Sequence, residues 1–457
     1  RLEFSLDTVL FDTVFTTVGS TTQRLKVFNR NSDAVLISNI FLQSGTASNF
    51  RINVDGVARP QVRDVELRGN DSLFIFVEVT VDPNGLTTPL IVTDQLVFET
   101  NGNVQDVDLV AWGQDAYFYP SVVFEAGVTH NLPSDKPNVF YGIAIVDSAA
   151  TLNIDAGSRL HFHAGAGLIV LQAATLKVRG QLGNEVVFEG DRLESVFSDE
   201  PNQWGITLNG RIFGGIWLSA TSRDHEIDYA IIKNGNIGLQ VDTIGNTNGP
   251  TLTLRNTIIQ NMTNTALVAQ GSNVLAENCV FANCGRYTAA LAIGGTYEFR
   301  HCTFANYWRF SNRDDGLLLL NNFFTDTAGV VRTRALVKAD FINCVLYGNL
   351  DEELEFDPSD EDPETNFNFR FDHCILRTEE DTDDPGHYVN VLVNPGSVFV
   401  DGILHDPVFN DFANNDYRLF AQSVALGAGR FLPTLINDLE GNVRMDPPDL
   451  GAYEFVP

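Results

Sequence analysis

Three stretches of this 457-residue chain gather side chains able to do chemistry. The first runs from Tyr307 to Asp315 and mixes aromatic and charged residues in a loop: Tyr307, Trp308, Arg309, Arg313, Asp314 and Asp315 are the binding candidates. Aromatic faces stack on sugars, and Trp, Tyr and Arg are enriched where proteins are gripped; otherwise Trp308 and Phe310 cover the flank of the fold. The second comprises the acidic runs 351–364 and 379–384, where Asp351, Glu352, Glu353, Asp383 and Asp384 could offer carboxylate oxygens to calcium. Unassembled, such runs are solvated loops. The third is the pair His161 and His163 around Phe162, which on a strand would both face outward and could hold a transition metal given a third ligand.

The elements that must position these groups are legible from a recurring phrase. Asp228-Tyr229-Ala230-Ile231-Ile232 is echoed at Arg255–Ile259, Glu277–Phe281, Arg300–Phe304, Ile342–Leu346 and Asp372–Leu376. Its small residues, Ala230, Thr257, Cys279, Cys302, Cys344 and Cys374, are spaced by 27, 22, 23, 42 and 30 residues. A floor near 22 with growth by insertion is the mark of a solenoid coil with fixed strands and variable loops. Alternating segments such as Leu252-Thr253-Leu254 precede the phrase and read as strands with one face in a core. The residue before the small one is Tyr, Asn, Asn, His, Asn and His, types that tolerate a left-handed bend. His301 and His373 therefore read as bend residues, and the four cysteines as an interior ladder of free thiols.

Residues 1–116 have a different grammar, with short alternating strands such as Arg24–Asn29, Phe50–Val54 and Ser72–Val79 broken by Asn, Gly, Asp and Pro. That spacing predicts a seven-strand β-sandwich. The expected fold is all-β: a sandwich over 1–116, a right-handed parallel β-helix over 117–410 and a C-terminal capping segment over 411–457.

On its residues, the first stretch resembles the immunoglobulin-like modules of bacterial surface proteins, carried by Val18-Gly19-Ser20 and the strand ending at Asn29. The coils at Ala150–Gly157, Arg159–Val170, Leu176–Gly180 and Glu185–Asp191 resemble the opening of β-helix repeat lipoproteins on Gram-negative surfaces, whose solenoid is pectate-lyase-like. The tail at Asn415–Leu419 and Asp449–Phe455 is similar to their terminal segment, although Ser423–Gly429 lacks its usual Pro and Asp. The resemblance implies a cell-surface, outer-membrane-anchored or secreted protein. The chain starts at Arg1, which reads as a processed product with any signal peptide or lipid anchor lying outside it.

The net charge of -30 opposes nucleic acid and anionic glycans. No run of 18 apolar residues occurs, so no transmembrane segment is expected. Pectinase-type β-helix hydrolases carry an Asn-Thr-Asp, Asp-Asp, Gly-His-Gly and Arg-Ile-Lys series, of which this sequence has only Asn312-Arg313-Asp314-Asp315-Gly316. β-helix lyases use Arg or Lys beside calcium-binding carboxylates, and Lys177, Lys233 and Lys338 stand in unrelated frames. The sequence therefore points first to a non-enzymatic scaffold presenting loops to a glycan or an outer-membrane protein complex, with no cofactor except a candidate calcium. Polysaccharide lyase or glycoside hydrolase is the alternative.

Overall fold

A computed structural model describes the chain apart from residues 17–18, 84, 86–87, 246–247 and 401–402. Val18, part of the immunoglobulin-like signature, lies outside the described residues.

The first compact unit comprises Arg1–Tyr117 with Arg192–Ser198. It is a β-sandwich of two five-stranded sheets. One holds Glu3–Phe4, Gln23–Asn29, Asp71–Val79, Phe50–Val54 and Val57–Ala58; the other holds Thr8–Phe15, Asn103–Gln114, Leu90–Thr100, Val35–Leu42 and Gln61–Leu67. Leu25, Ile37, Phe50, Ile75, Phe98 and Leu109 fill the space between them. Among the described residues ten strands thus stand where seven are expected. Two are two-residue ribbons, and Gln61–Leu67 hides its strand character because it is an edge, where Arg63, Asp64 and Glu66 discourage further pairing. The return segment at 192–198 is fixed by Thr21 Oγ1 donating to Glu194 at 2.7 Å and by Ser195 N–H donating to Asp12 at 2.9 Å.

The second unit, Phe118–Asp191 with Asp199–Pro457, is a parallel β-helix. Each coil lays down three strands. Those of the first and second faces belong to a 17-stranded sheet, and those of the third face to an 11-stranded sheet. The first face includes Ile216–Leu218, Ile237–Asp242, Leu318–Asn321 and Leu354–Asp357; the second includes Leu252–Arg255 and Leu336–Ile342; Thr265–Glu277 and Ala289–Arg300 are long enough to cross both.

Parallel register stacks like residues along the axis. Ile259, Phe281, Phe304 and Leu346 form one inward row on the third face, and Phe299, Phe341 and Phe371 stack on the second with centroids 5.1 and 4.9 Å apart. The expected bend ladder is present: Tyr229, Asn256, Asn278, His301, Asn343 and His373 all have φ between 45° and 55°. Its amides link coil to coil, as when Asn278 donates to Asn256 at 3.3 Å. Cys279, Cys302, Cys344 and Cys374 are buried and unbridged, as is Cys284. Burial pushes the Cys279, Cys302 and Cys344 thiols well up, which keeps them inert.

The C-terminal segment does more than close an end. From about Val408 onward it runs back along the outside of the third face, packing Phe409, Tyr417, Leu450 and Ala452 on Val280, Ala282, Ala305, Val345 and Ile375. Polar ties fix it: Asn343 donates to the Arg430 carbonyl at 2.7 Å, Ala452 N–H donates to Thr303 at 3.0 Å, and buried Arg444 donates to Asn278 at 2.9 Å and to the Gly451 carbonyl at 3.1 Å.

Candidate active site on the first face

The three outer faces of the helix differ in what they leave free. The third is clad by the C-terminal segment over its later coils. The second carries an ion-pair ladder, in which Arg255 and Arg300 share Glu277 at 3.3 and 3.0 Å, and Arg300 and Lys338 share Glu298. Its charges are largely spent on each other.

Among the described residues the first face carries neither the C-terminal segment nor such an ion-pair ladder. Alternation buries Leu218, Leu239, Leu267, Leu291, Leu320 and Leu354 and turns the residues between them outward. One outward row, aligned strand by strand, reads Trp217, Gln240, Val268, Ala290, Leu319 and Glu355. With Ala290 and Val268 at its middle the row is shallow, and chemistry gathers at its two ends.

At one end Tyr287 places its phenol oxygen 3.1 Å from Asp315 Oδ1 and 2.9 Å from Glu355 Oε2. Contacts of 3.1 and 2.9 Å to one atom mean that these carboxylate oxygens are at most 6.0 Å apart. Arg286 grips Asp315 through both guanidinium arms, at 2.7 and 3.2 Å, and holds its carboxyl below the usual range. Among the described residues no cation forms an ion pair with Glu355, and its other oxygen accepts the Gly316 N–H. A phenol has a single hydrogen to donate, so it cannot serve both carboxylates fully at once. Its own ionisation is pushed up, first by burial and then by Glu355.

What aims the two carboxylates is a buried ion pair beneath them. Arg313 donates to Glu353 at 2.7 and 2.6 Å, both side chains being almost wholly buried, and the same guanidinium donates to the Asp315 carbonyl at 2.9 Å. The Glu353 carbonyl accepts Leu317 N–H and Leu318 N–H, at 2.9 and 3.0 Å. The loop bearing Asp315 and the strand bearing Glu355 are thereby fastened to one another.

The six residues of the 307–315 cluster separate. Tyr307 donates to Asp406 at 2.6 Å beneath the C-terminal segment, and Trp308 is 6% exposed and donates to Ser311 at 2.8 Å. Arg309 donates to the Ala413 carbonyl at 2.9 Å, Arg313 lies inside, Asp314 is exposed, and Asp315 alone joins the first-face cluster. The five calcium candidates do not converge. Glu353 faces Arg313, Asp351 pairs with Arg377 at 2.6 Å, Glu352 accepts Thr378 at 2.8 Å, and Asp384 accepts Gly386 N–H at 2.8 Å, while Asp383 is exposed. Among the described residues no three His, Cys, Asp or Glu side chains form a metal-binding group. His161 and His163 are also split: His161 is buried, with Nδ1 3.3 Å from the Gly190 carbonyl, whereas His163 is exposed and 2.7 Å from Asp191.

Sequence reading missed Arg286 and Tyr287 as site residues and took Glu355 for part of a solvated run. The available signal was the apolar-polar-apolar order Leu354-Glu355-Phe356, which makes Glu355 a strand residue pointing outward.

No family model matches the chain, and no curated protein matches it. Among solved structures, XylC in complex with xylose is 12% identical, covering 98% of this chain and 88% of its own at a TM-score of 0.31. The catalytic unit of a thermostable alpha-1,3-glucanase of glycoside hydrolase family 87 from Streptomyces thermodiastaticus is 10% identical, covering 77% and 79% at 0.24. A family 123 glycoside hydrolase from Clostridium perfringens is 10% identical over 25% of this chain, which spans 26% of that hydrolase, at 0.18. Likeness of this degree carries no argument about activity.

Proposed function

We propose that the chain is a carbohydrate-active β-helix protein that hydrolyses neutral polysaccharide on the first face, with Asp315 and Glu355 as its carboxylate pair. One observation carries the reading: two carboxyl groups, one on an inserted loop and one on a strand, meet over one phenol on the first face of the solenoid. An oxygen-to-oxygen gap of at most 6.0 Å accommodates the roughly 5 to 5.5 Å carboxyl separation of retaining glycosidases. Asp315, kept ionised by Arg286, is the nucleophile. It bonds to the anomeric carbon while the glycosidic oxygen departs with a proton from Glu355. Glu355 then takes a proton from water, whose oxygen displaces Asp315 and completes hydrolysis. The charge of -30 directs the choice to neutral glycans. A surface or secreted location, with or without a lipid anchor, belongs to the same proposal and rests on the sequence resemblance.

A lyase has less support. Lys177, Lys233 and Lys338 are each engaged in an ion pair, with Glu226, Glu189 and Glu298. Non-enzymatic glycan binding is the second reading. It is favoured because all four oxygens of the pair already face a protein donor, so a substrate must displace Tyr287 before either carboxylate can act.

The test is release of reducing ends from β-glucan, α-glucan, xylan and mannan. Asp315→Asn and Glu355→Gln should each lower the rate by about 10²- to 10⁴-fold. Retained binding of a glycan that the wild-type protein never cleaves would sink hydrolysis and leave the binding reading.

A further inference from the structure

The other end of the same outward row carries a second constellation. Trp217 stacks on Phe213 with centroids 4.4 Å apart and planes 22° apart. The Trp217 indole N–H donates to Asp242 Oδ2 at 2.7 Å, and Gln240 donates to Asp242 Oδ1 at 3.0 Å. Gln240 in turn accepts the Gly214 N–H at 2.9 Å. Glycine is required beside it, since a Cβ on Gly214 would lie 2.7 Å from the Gln240 Cβ, and one on Gly215 would lie 2.4 Å from the Trp204 ring. These two glycines let the chain press onto its neighbours and lay Phe213 over Trp217. Both rings are part-exposed, and neither belongs to the hydrophobic core, which is closed by Ile216 and Leu218 on either side.

Two aromatic rings held outside a finished core, beside an amide and a carboxylate oriented by each other, have the composition of a sugar subsite: an apolar platform with a few directed polar groups. The row places this platform five strand spacings from Glu355, roughly 24 Å at about 4.8 Å each. The residues between, Val268, Ala290 and Leu319, are small or aliphatic, so the row itself raises no large side chain between its two ends.

We infer that Phe213, Trp217, Gln240 and Asp242 form a distal saccharide subsite, and that the first face takes long neutral glycan chains gripped at this subsite and cut at the Asp315–Glu355 pair. The inference rests on the hydrolase reading for the second half of that statement. The platform stands on its own geometry. Part-exposed Asp242 accepts from sugar hydroxyls while Trp217 stacks on the ring face, and buried Gln240 orients the carboxylate. Short oligosaccharides that reach only the carboxylate pair lose this grip, so efficiency rises with chain length until both ends are spanned.

The experiment is a length series of the neutral oligosaccharides, two to eight sugars, derived from whichever polysaccharide of the panel is bound. Cleavage is measured for wild type, Trp217→Ala and Trp217→Phe, and binding by isothermal titration calorimetry in the Glu355→Gln background. Wild-type kcat/KM should climb at least tenfold across the series. Trp217→Ala should flatten that climb through KM, and Trp217→Phe should restore much of it. Wild-type cleavage with no length dependence, or a dependence that Trp217→Ala preserves, overturns the inference and leaves the hydrolase reading standing. Length-dependent binding lost in Trp217→Ala, without cleavage by the wild type, keeps the subsite and overturns the hydrolase reading alone.

Discussion

At the residue scale, the groups that matter are defined by partners far away in sequence. Asp315 is visible as a candidate from composition, but its meaning comes from Arg286 and Tyr287 on the preceding coil and from Glu355 on the next. Arg286 holds the Asp315 pKa down, so the contribution of that contact is present above the unfolded value, near 3.9, and is lost as pH falls through the depressed one. The difference in melting temperature between wild type and Asp315→Asn should therefore shrink as pH is lowered below about 4. A difference that widens in acid would contradict the assignment. His225 gives a larger effect. Its Nδ1 accepts Leu176 N–H at 3.0 Å, Nε2 lies 2.9 Å from Ser222, and burial pulls its pKa from 6.5 to about 3. Between those values the unfolded chain binds a proton that the folded chain refuses. Stability is therefore untouched above about pH 6.5 and falls as pH drops, by on the order of 4 kcal/mol near pH 3. Urea midpoints of wild type and His225→Leu should converge as pH falls, the variant having the shallower slope; parallel slopes would remove His225 as a source of acid sensitivity.

At the element scale, the coil was readable and the insertions were not. The phrase around Cys279, Cys302, Cys344 and Cys374 repeats because every coil solves the same problem of strand, bend and interior row, and a periodic problem leaves a periodic trace. The insertion carrying Arg313 answers a problem that arises once, the burial of an ion pair with Glu353, and nothing local in its sequence distinguishes that role from sugar binding. Removing one partner leaves a buried charge uncompensated, so Arg313→Ala should cost about 3 to 5 kcal/mol. It should also lower activity by releasing both carboxylate-bearing segments, and an unchanged melting temperature would show that the pair is not structural. Phe304→Ala, which empties a place in the inward row between Phe281 and Leu346, should likewise cost about 3 to 5 kcal/mol by calorimetry. Thiol titration in denaturant without reductant should find all five cysteines free, whereas two bridges among the ladder members would refute the stacked arrangement.

At the scale of the whole molecule, the all-β class and the solenoid follow from features distributed over hundreds of residues, which is why they survive local misreadings such as the strand count of the sandwich. The charge of -30 is equally global, and polygalacturonate should be bound far more weakly than a neutral glycan of equal length, a preference that added salt should reduce. The course of the C-terminal segment was not legible, because its contacts join residues more than a hundred positions apart, as Arg444 with Asn278. That course imposes an order in time. During synthesis the coils carrying Val280, Ala305 and Val345 emerge well before Tyr417, Leu450 and Ala452 exist to cover them, so a nascent solenoid shows the world an oily seam until its final residues arrive. The segment after Val408 thus acts as a latch on coils that are made long before it.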